Sequence, residues 1–154
     1  ALDRLPEDLR QRLLDEQRQL ARRVEFLEGR LAKDRAQELV AGARQVGGVP
    51  VISARLDGLD QEKLRAVVDS VRDRLGSGVI CLGGVVDGKV NLVAAVTKDL
   101  TPKLHAGKLI QEISRVVGGG GGGRSDLAQA GGKDPSKLDE ALGSIYEMVA
   151  QRSA

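Results

Sequence analysis

The sequence predicts an α/β protein: a long N-terminal coiled-coil-like helix, then a small mixed-sheet βαββα globular domain with a Gly-rich loop and a C-terminal helix. Three observations carry this. Residues from about Pro6 to Arg44 contain only two glycines, Gly29 and Gly42, no proline after Pro6, and are dense in Leu, Arg, Gln, Glu and Ala, all good helix formers. Beyond them, short apolar runs alternate with stretches of 3.6-residue periodicity and are punctuated by turn residues. Third, six consecutive glycines, Gly118 to Gly123, interrupt the chain before a last amphipathic segment.

In the N-terminal helix, Leu13, Leu20 and Leu27 recur every seven residues, and Gln17, Val24 and Leu31 fall between them. This is an a/d seam over about three heptads. It fails past Leu31, where Asp34 and Glu38 occupy its positions; Leu39, Val40 and Ala43 point instead to docking on the next domain. A lone helix cannot bury such a stripe. Leu13, Leu20, Val24, Leu27 and Leu31 are therefore candidate dimerisation residues, in a helical subdomain of residues 1–45. Gly42, Gly47 and Gly48 mark its end, and residues 46–154 form the globular subdomain.

There, Val49 to Leu56 alternates as a strand with Ile52, Ala54 and Leu56 on one face. Asp60 is a candidate N-cap for a helix that buries Leu64, Val67, Val68, Val71 and Leu75, with Gly76 as its stop. Val79-Ile80-Cys81-Leu82 reads as a strand covered on both faces. Asp87-Gly88 signals a type I′ hairpin, and Lys89 to Thr97 is the return strand. Thr101-Pro102 reads as an N-cap followed by an N1 proline, opening a helix that buries Leu109, Ile110, Ile113, Val116 and Val117 and carries His105 in its first turn. Asp134-Pro135 repeats that signal before a final helix through Leu138, Leu142, Ile145, Tyr146 and Val149. The first two strands, joined by a helix, should lie parallel with a right-handed crossover, in a sheet of three or four strands.

Composition narrows the function. At 154 residues, 41% hydrophobic and 30% charged, the chain is ordinary globular material. Its only aromatics are Phe26 and Tyr146, which argues against binding single-stranded nucleic acid on aromatic platforms. A net charge of +2 makes any anion site local. The one cysteine, Cys81, excludes an internal disulfide and favours a reducing compartment. No apolar run reaches membrane-span length, and the N-terminus is charged from Asp3 and Arg4 onward, unlike a signal peptide. A cytoplasmic location is expected. The start at Ala1 suggests a fragment or a processed chain.

Catalysis has no visible constellation. His105 stands alone and reads as a solvated surface histidine; Cys81, inside an apolar strand, reads as a buried, inert thiol. One His and one Cys cannot build a usual metal site. No catalytic residue, metal or cofactor is expected in this stretch. The glycine run matches GxGxxG only because any six glycines do, and it follows a predicted helix where a dinucleotide fingerprint follows a strand. No Gly-Lys-Ser/Thr is present, so it is not a P-loop. It can be read as a linker, as a packed loop, or as a backbone surface that holds a phosphate or sugar edge beside Arg124. Lys89, Lys98, Lys103, His105, Lys108, Lys133 and Lys137 form a local basic patch with Arg124 if they share a face, and are scattered solubilising residues if they do not.

The run from the glycines through Arg124-Ser125-Asp126-Leu127-Ala128-Gln129-Ala130-Gly131-Gly132 resembles the C-terminal domain of alanyl-tRNA synthetase, a member of the DHH-associated domains found also in DHH phosphodiesterases. Val67-Val68-Asp69, Asp87-Gly88-Lys89-Val90 and Val96-Thr97-Lys98-Asp99-Leu100 extend the likeness over roughly residues 46–150. The phosphodiesterases carry a histidine directly after their glycines; here Arg124 stands there. Many synthetases have proline where this chain has Ser125. The resemblance implies a non-catalytic module that binds the outer corner of alanine-specific tRNA, couples aminoacylation with editing, and dimerises through its helical part. ATP and zinc chemistry would belong to other domains. Gly121, Gly122, Gly123 and Arg124 are then the candidate nucleic-acid contacts, with Lys98, Lys103 and Lys133 beside them. The alternative is the substrate-binding domain of a DHH phosphodiesterase acting on short nucleotides.

Overall fold

The computed structural model describes residues 2–153. A 35-residue helix, α1 (Glu7–Ala41), leads into a six-stranded sheet. The strands are β1 (Arg44–Val46), β2 (Val49–Arg55), β3 (Val79–Val86), β4 (Lys89–Val96), β5 (Gly120–Gly123) and β6 (Leu127–Gly132), in the order β1-β2-β3-β4-β6-β5. Helix α2 (Gln61–Leu75) links the parallel pair β2 and β3, as expected; all other neighbours are antiparallel. Helix α3 (Ala106–Val116) precedes β5, and α4 (Leu138–Ser153) closes the chain.

Strand alternation sends side chains to two cores. On one face Val51, Val79, Cys81, Leu92, Ala94 and Val96 meet Leu109, Ile110 and Ile113 of α3 and Leu138, Leu142 and Ile145 of α4. On the other Ile52, Ile80, Leu82, Val93 and Ala95 meet Leu64, Val67, Val68 and Val71 of α2 and Ala36 of α1. Only the last turns of α1 and the residues just after it dock: Leu39, Val40 and Ala43 pack here, as the failing heptad predicted, together with Ala32, and Ala36 is the one buried residue of α1 among the described residues. Burial pushes the Cys81 thiol up to about 12, so it is an inert core group at neutral pH.

The caps explain the element ends. The Asp60 carboxylate accepts the Lys63 backbone N–H at 2.9 Å, and Gly76 ends α2 with φ 77°. Asp87 (φ 52°) and Gly88 (φ 75°) make the predicted primed turn.

Three expectations are corrected. The sheet has six strands rather than three or four. β1 was hidden because Gly47 and Gly48, both at positive φ, form the turn of the β1–β2 hairpin instead of terminating the helix, which Gly42 caps. The Gly-rich segment is not a loop: Gly120–Gly123 is edge strand β5, paired with β6 from Gly120↔Gly131 to Gly123↔Ala128. Finally, α3 does not start at Thr101-Pro102. Those residues follow a 3₁₀ turn at Lys98–Leu100, and the helix starts at Ala106, capped by His105.

Candidate nucleic-acid interface

The glycines work in alternation. A Cβ on Gly121 would lie 2.5 Å from Ala130 Cα and collide with the Gln129 carbonyl; one on Gly123 would lie 2.6 Å from Leu127 O; one on Gly119 would strike Gly131 and Gly132. Gly120 meets nothing within 4 Å, and Gly122 meets only the Gln111 side chain, at 3.6 Å. Every second glycine is thus required by the close approach of β5 to β6. The ladder sets the free groups as well. The Arg124 N–H donates to Leu127 O at 2.9 Å; stepping back by two along the antiparallel register places Gly122 and Gly120 in the bonded pairs and turns the Gly121 and Gly123 amides away from β6.

Arg124, Ser125 and Asp126 form the β5–β6 turn, and three further bonds fix it. The Gly107 and Ala106 N–H groups of α3 donate to Arg124 O (3.1 Å) and Ser125 O (2.9 Å), and the Val96 N–H donates to Asp126 O (3.0 Å). The Lys108 N–H donates to His105 Nδ1 at 3.2 Å. The first amides of α3 are therefore satisfied within the protein and are not an open anion site. Gly107 is needed for this approach, because a Cβ there would lie 2.8 Å from Gly123 O.

Around the turn lies an open depression of about 590 Å³, lined by Lys98, Thr101, His105, Arg124, Ser125 and Asp126. Arg124 and Lys98 are exposed, and neither forms a salt bridge among the described residues. The lining combines a guanidinium fork, an ammonium, two hydroxyls, an imidazole and one carboxylate, a set suited to phosphate oxygens and ribose hydroxyls. Lys98 is held in place through its neighbour. Asp99 accepts the Ser77 hydroxyl at 2.6 Å, and that bond first, then one from Thr97, keeps its carboxyl below the ordinary carboxylate range.

Of the sequence-predicted contacts, Arg124 and Lys98 come together, with the Gly123 end of β5 beside them. Lys103 lies exposed on the adjoining turn outside the depression. Lys133 does not join them: it follows Gly132, about 17 Å of strand from Leu127, at the Lys89 end of β4. The predicted basic patch is therefore divided between opposite ends of the sheet. Thr101 and Ser125 were not singled out as contacts, and nothing in their sequence context marks them. His105, a solvated histidine by sequence, is instead a half-buried helix cap. No group of three His, Cys, Asp or Glu able to hold a metal ion occurs among the described residues, and no described helix is long and apolar enough to cross a membrane.

The DHHA1 domain matches residues 48–151. The alanine–tRNA ligase of Pelotomaculum thermopropionicum is 54% identical over 138 residues, 89% of this chain and 16% of that protein. The alanine–tRNA ligase of Solibacter usitatus is 47% identical over 142 residues, 92% of this chain and 16% of that protein. The chain thus spans about a sixth of the length of these relatives. Among solved structures, the C-Ala domain of Aquifex aeolicus alanyl-tRNA synthetase superposes with a TM-score of 0.66 at 34% identity, over 70% of this chain and 97% of that one.

Proposed function

We propose, from the premise that the chain belongs to the DHHA1 domain family and within it to the C-Ala domains of alanyl-tRNA synthetase, that it is the tRNA-corner-binding module of such an enzyme. The observation that carries this reading is the depression at the β5–β6 turn, where Arg124 and Lys98, without salt bridges among the described residues, flank two hydroxyls on a rigid backbone frame. A folded RNA corner offers phosphates, 2′-hydroxyls and shape rather than open base edges. A glycine edge with outward amides and a sparse set of donors suits those features better than an aromatic platform does.

In this reading the module performs no chemistry. It holds the outer corner of alanine-specific tRNA, so that aminoacylation and editing sites elsewhere in a cytoplasmic synthetase share one bound substrate. Leu13, Leu20, Val24, Leu27 and Leu31, all exposed along α1, supply the dimer seam. The phosphodiesterase alternative gains no support from the site, since Arg124 occupies the place of that group's histidine.

The test is tRNA binding by filter retention across a salt series. Arg124→Ala is expected to weaken binding and to make the slope of log K against log salt shallower by about 1. Parent-level affinity and slope in Arg124→Ala and Lys98→Ala would remove the hairpin turn as the contact.

A further inference from the structure

The seam and the docked end leave one face of α1 without a role. At about 100° per residue, Arg18, Arg22, Phe26, Arg30, Lys33 and Arg23 fall within an arc of about 140°. Of the docking residues, Ala32 and Leu39 lie to one side of this arc, while Ala36 and Val40 share the directions of Arg18 and Arg22 but lie beyond Lys33, at the docked end of the helix. The apolar stripe of Leu13, Leu20, Val24, Leu27 and Leu31 lies to the other side. Between residues 18 and 33 both acidic residues are turned away: Glu25 and Glu28 line the groove against α2, and Glu28 pairs with Lys63 at 3.5 Å. Asp15 and Glu16 precede the stretch, Glu16 sharing a shallow depression with Arg22 and Arg23, and Asp34 follows it. None of its five cations forms a salt bridge among the described residues.

Phe26, one of two aromatics in the protein, sits at 66% exposure within this face. Arg22 and Arg30 stand one turn before and one turn after it. Helix stability does not call for the arrangement. Arg18 and Arg22 are a like-charged i,i+4 pair, which costs a few tenths of a kcal/mol, and an exposed Phe adds no packing. The face runs about 22 Å along the helix axis, long enough to follow several phosphates.

The geometry points to a second RNA-contacting surface, the Arg18–Lys33 face of α1, in which the arginines track a phosphate backbone while Phe26 stacks on an exposed base face. The complement is a polyanion with exposed π-faces. The inference rests on the tRNA reading above for its partner and extends it to a surface that lies away from both the hairpin turn and the seam.

The test uses the full chain and a tRNA transcript. Arg22→Gln/Arg30→Gln is expected to weaken binding and to make the salt slope shallower by about 1 to 2. Phe26→Ala should weaken it about 5- to 100-fold, with Phe26→Tyr restoring it. Sedimentation and far-UV circular dichroism should be unchanged in all three. Parent-level affinity and slope in the α1 variants overturns the inference, as does a loss that tracks altered sedimentation or helicity. Equal, Arg22- and Arg30-dependent retention on phosphatidylserine vesicles also overturns it. Two mixed outcomes separate the readings. If Arg124→Ala and Lys98→Ala lose binding while the α1 variants do not, the hairpin site stands and this surface falls; the reverse pattern keeps this surface and removes the hairpin.

Discussion

Strand β5, one edge of the sheet, and helix α1, docked by its end over one sheet face, solve opposite problems. β5 has no side chains, and its geometry is fixed by exclusion: three of its neighbourhood's glycines, Gly119, Gly121 and Gly123, sit where a Cβ would enter the backbone of β6. α1 is all side chain. Of its 35 residues only Ala36 is buried among those described, and Leu20 remains 59% exposed. One element is complete within the fold and intolerant of additions at every second residue. The other is incomplete and tolerant of change until its partners are present. A surface built on β5 is therefore preorganised, whereas any surface on α1 acquires its energy from what binds there.

The sharpest way to break this contrast is to add one methyl group. Gly121→Ala places a Cβ against Gln129 and Ala130 backbone, which no side-chain rotation relieves, and should cost about 3 kcal/mol or more. Gly120→Ala enters open space and should change stability by no more than about 0.5 kcal/mol. Urea melts of the two variants decide it. Equal costs would mean that the run is glycine for flexibility rather than for close approach.

Next is the docked end of α1. Ala36 is 0% exposed between α1 and the α2 core. Ala36→Leu should overpack that contact and cost about 1–3 kcal/mol by chemical melt, and Ala36→Asp should cost more by burying an unpaired charge. Leu20→Ala and Leu27→Ala, on the same helix, should change the monomer by less than about 0.5 kcal/mol. If the stripe is a seam, these two instead abolish a concentration dependence of the parent's melting temperature, which sedimentation at several concentrations checks independently. A strict monomer in the parent would remove the dimer.

The same contrast explains what could be read from the sequence. Burial leaves a periodic signature, so α2, β2, β3, β4 and the docking of α1 were all legible from Val, Leu and Ile spacing. β5 and β6 were not, because Gly and Ala have low strand propensity and give no alternation; their pairing is imposed by α3 packing on one side and by turn bonds from Ala106 and Gly107. β1 offers only Val46 as an apolar signal. The start of α3 was missed because Thr101-Pro102 carries a stronger N-cap pattern than His105, which wins through its bond from Lys108. At the site, Arg124 was visible as the donor after the glycines. That Lys98 joins it while Lys133 does not depends on strand register, which residue spacing does not encode.

The smallest effect tests the side of the depression that neither glycine nor helix supports. Asp99 lies beside Lys98 and accepts the Ser77 hydroxyl, which with Thr97 lowers its pKa in the folded chain. A carboxyl depressed on folding contributes stability that is fully present above its unfolded pKa, about 3.9, and that is lost as pH falls through the folded value. Ser77→Ala removes the principal cause of the depression. Its melting temperature should fall slightly below that of the parent at pH 7, and the gap should narrow as pH drops below about 4 and close once pH lies below the depressed folded value, where Asp99 is protonated in both proteins. Because the group is exposed, the gap should be smaller than that of any variant above. A gap that stays constant from pH 7 to pH 3 would mean that the Ser77 hydroxyl acts through packing or through the loop backbone, and that the Lys98 wall is held by the 3₁₀ turn alone.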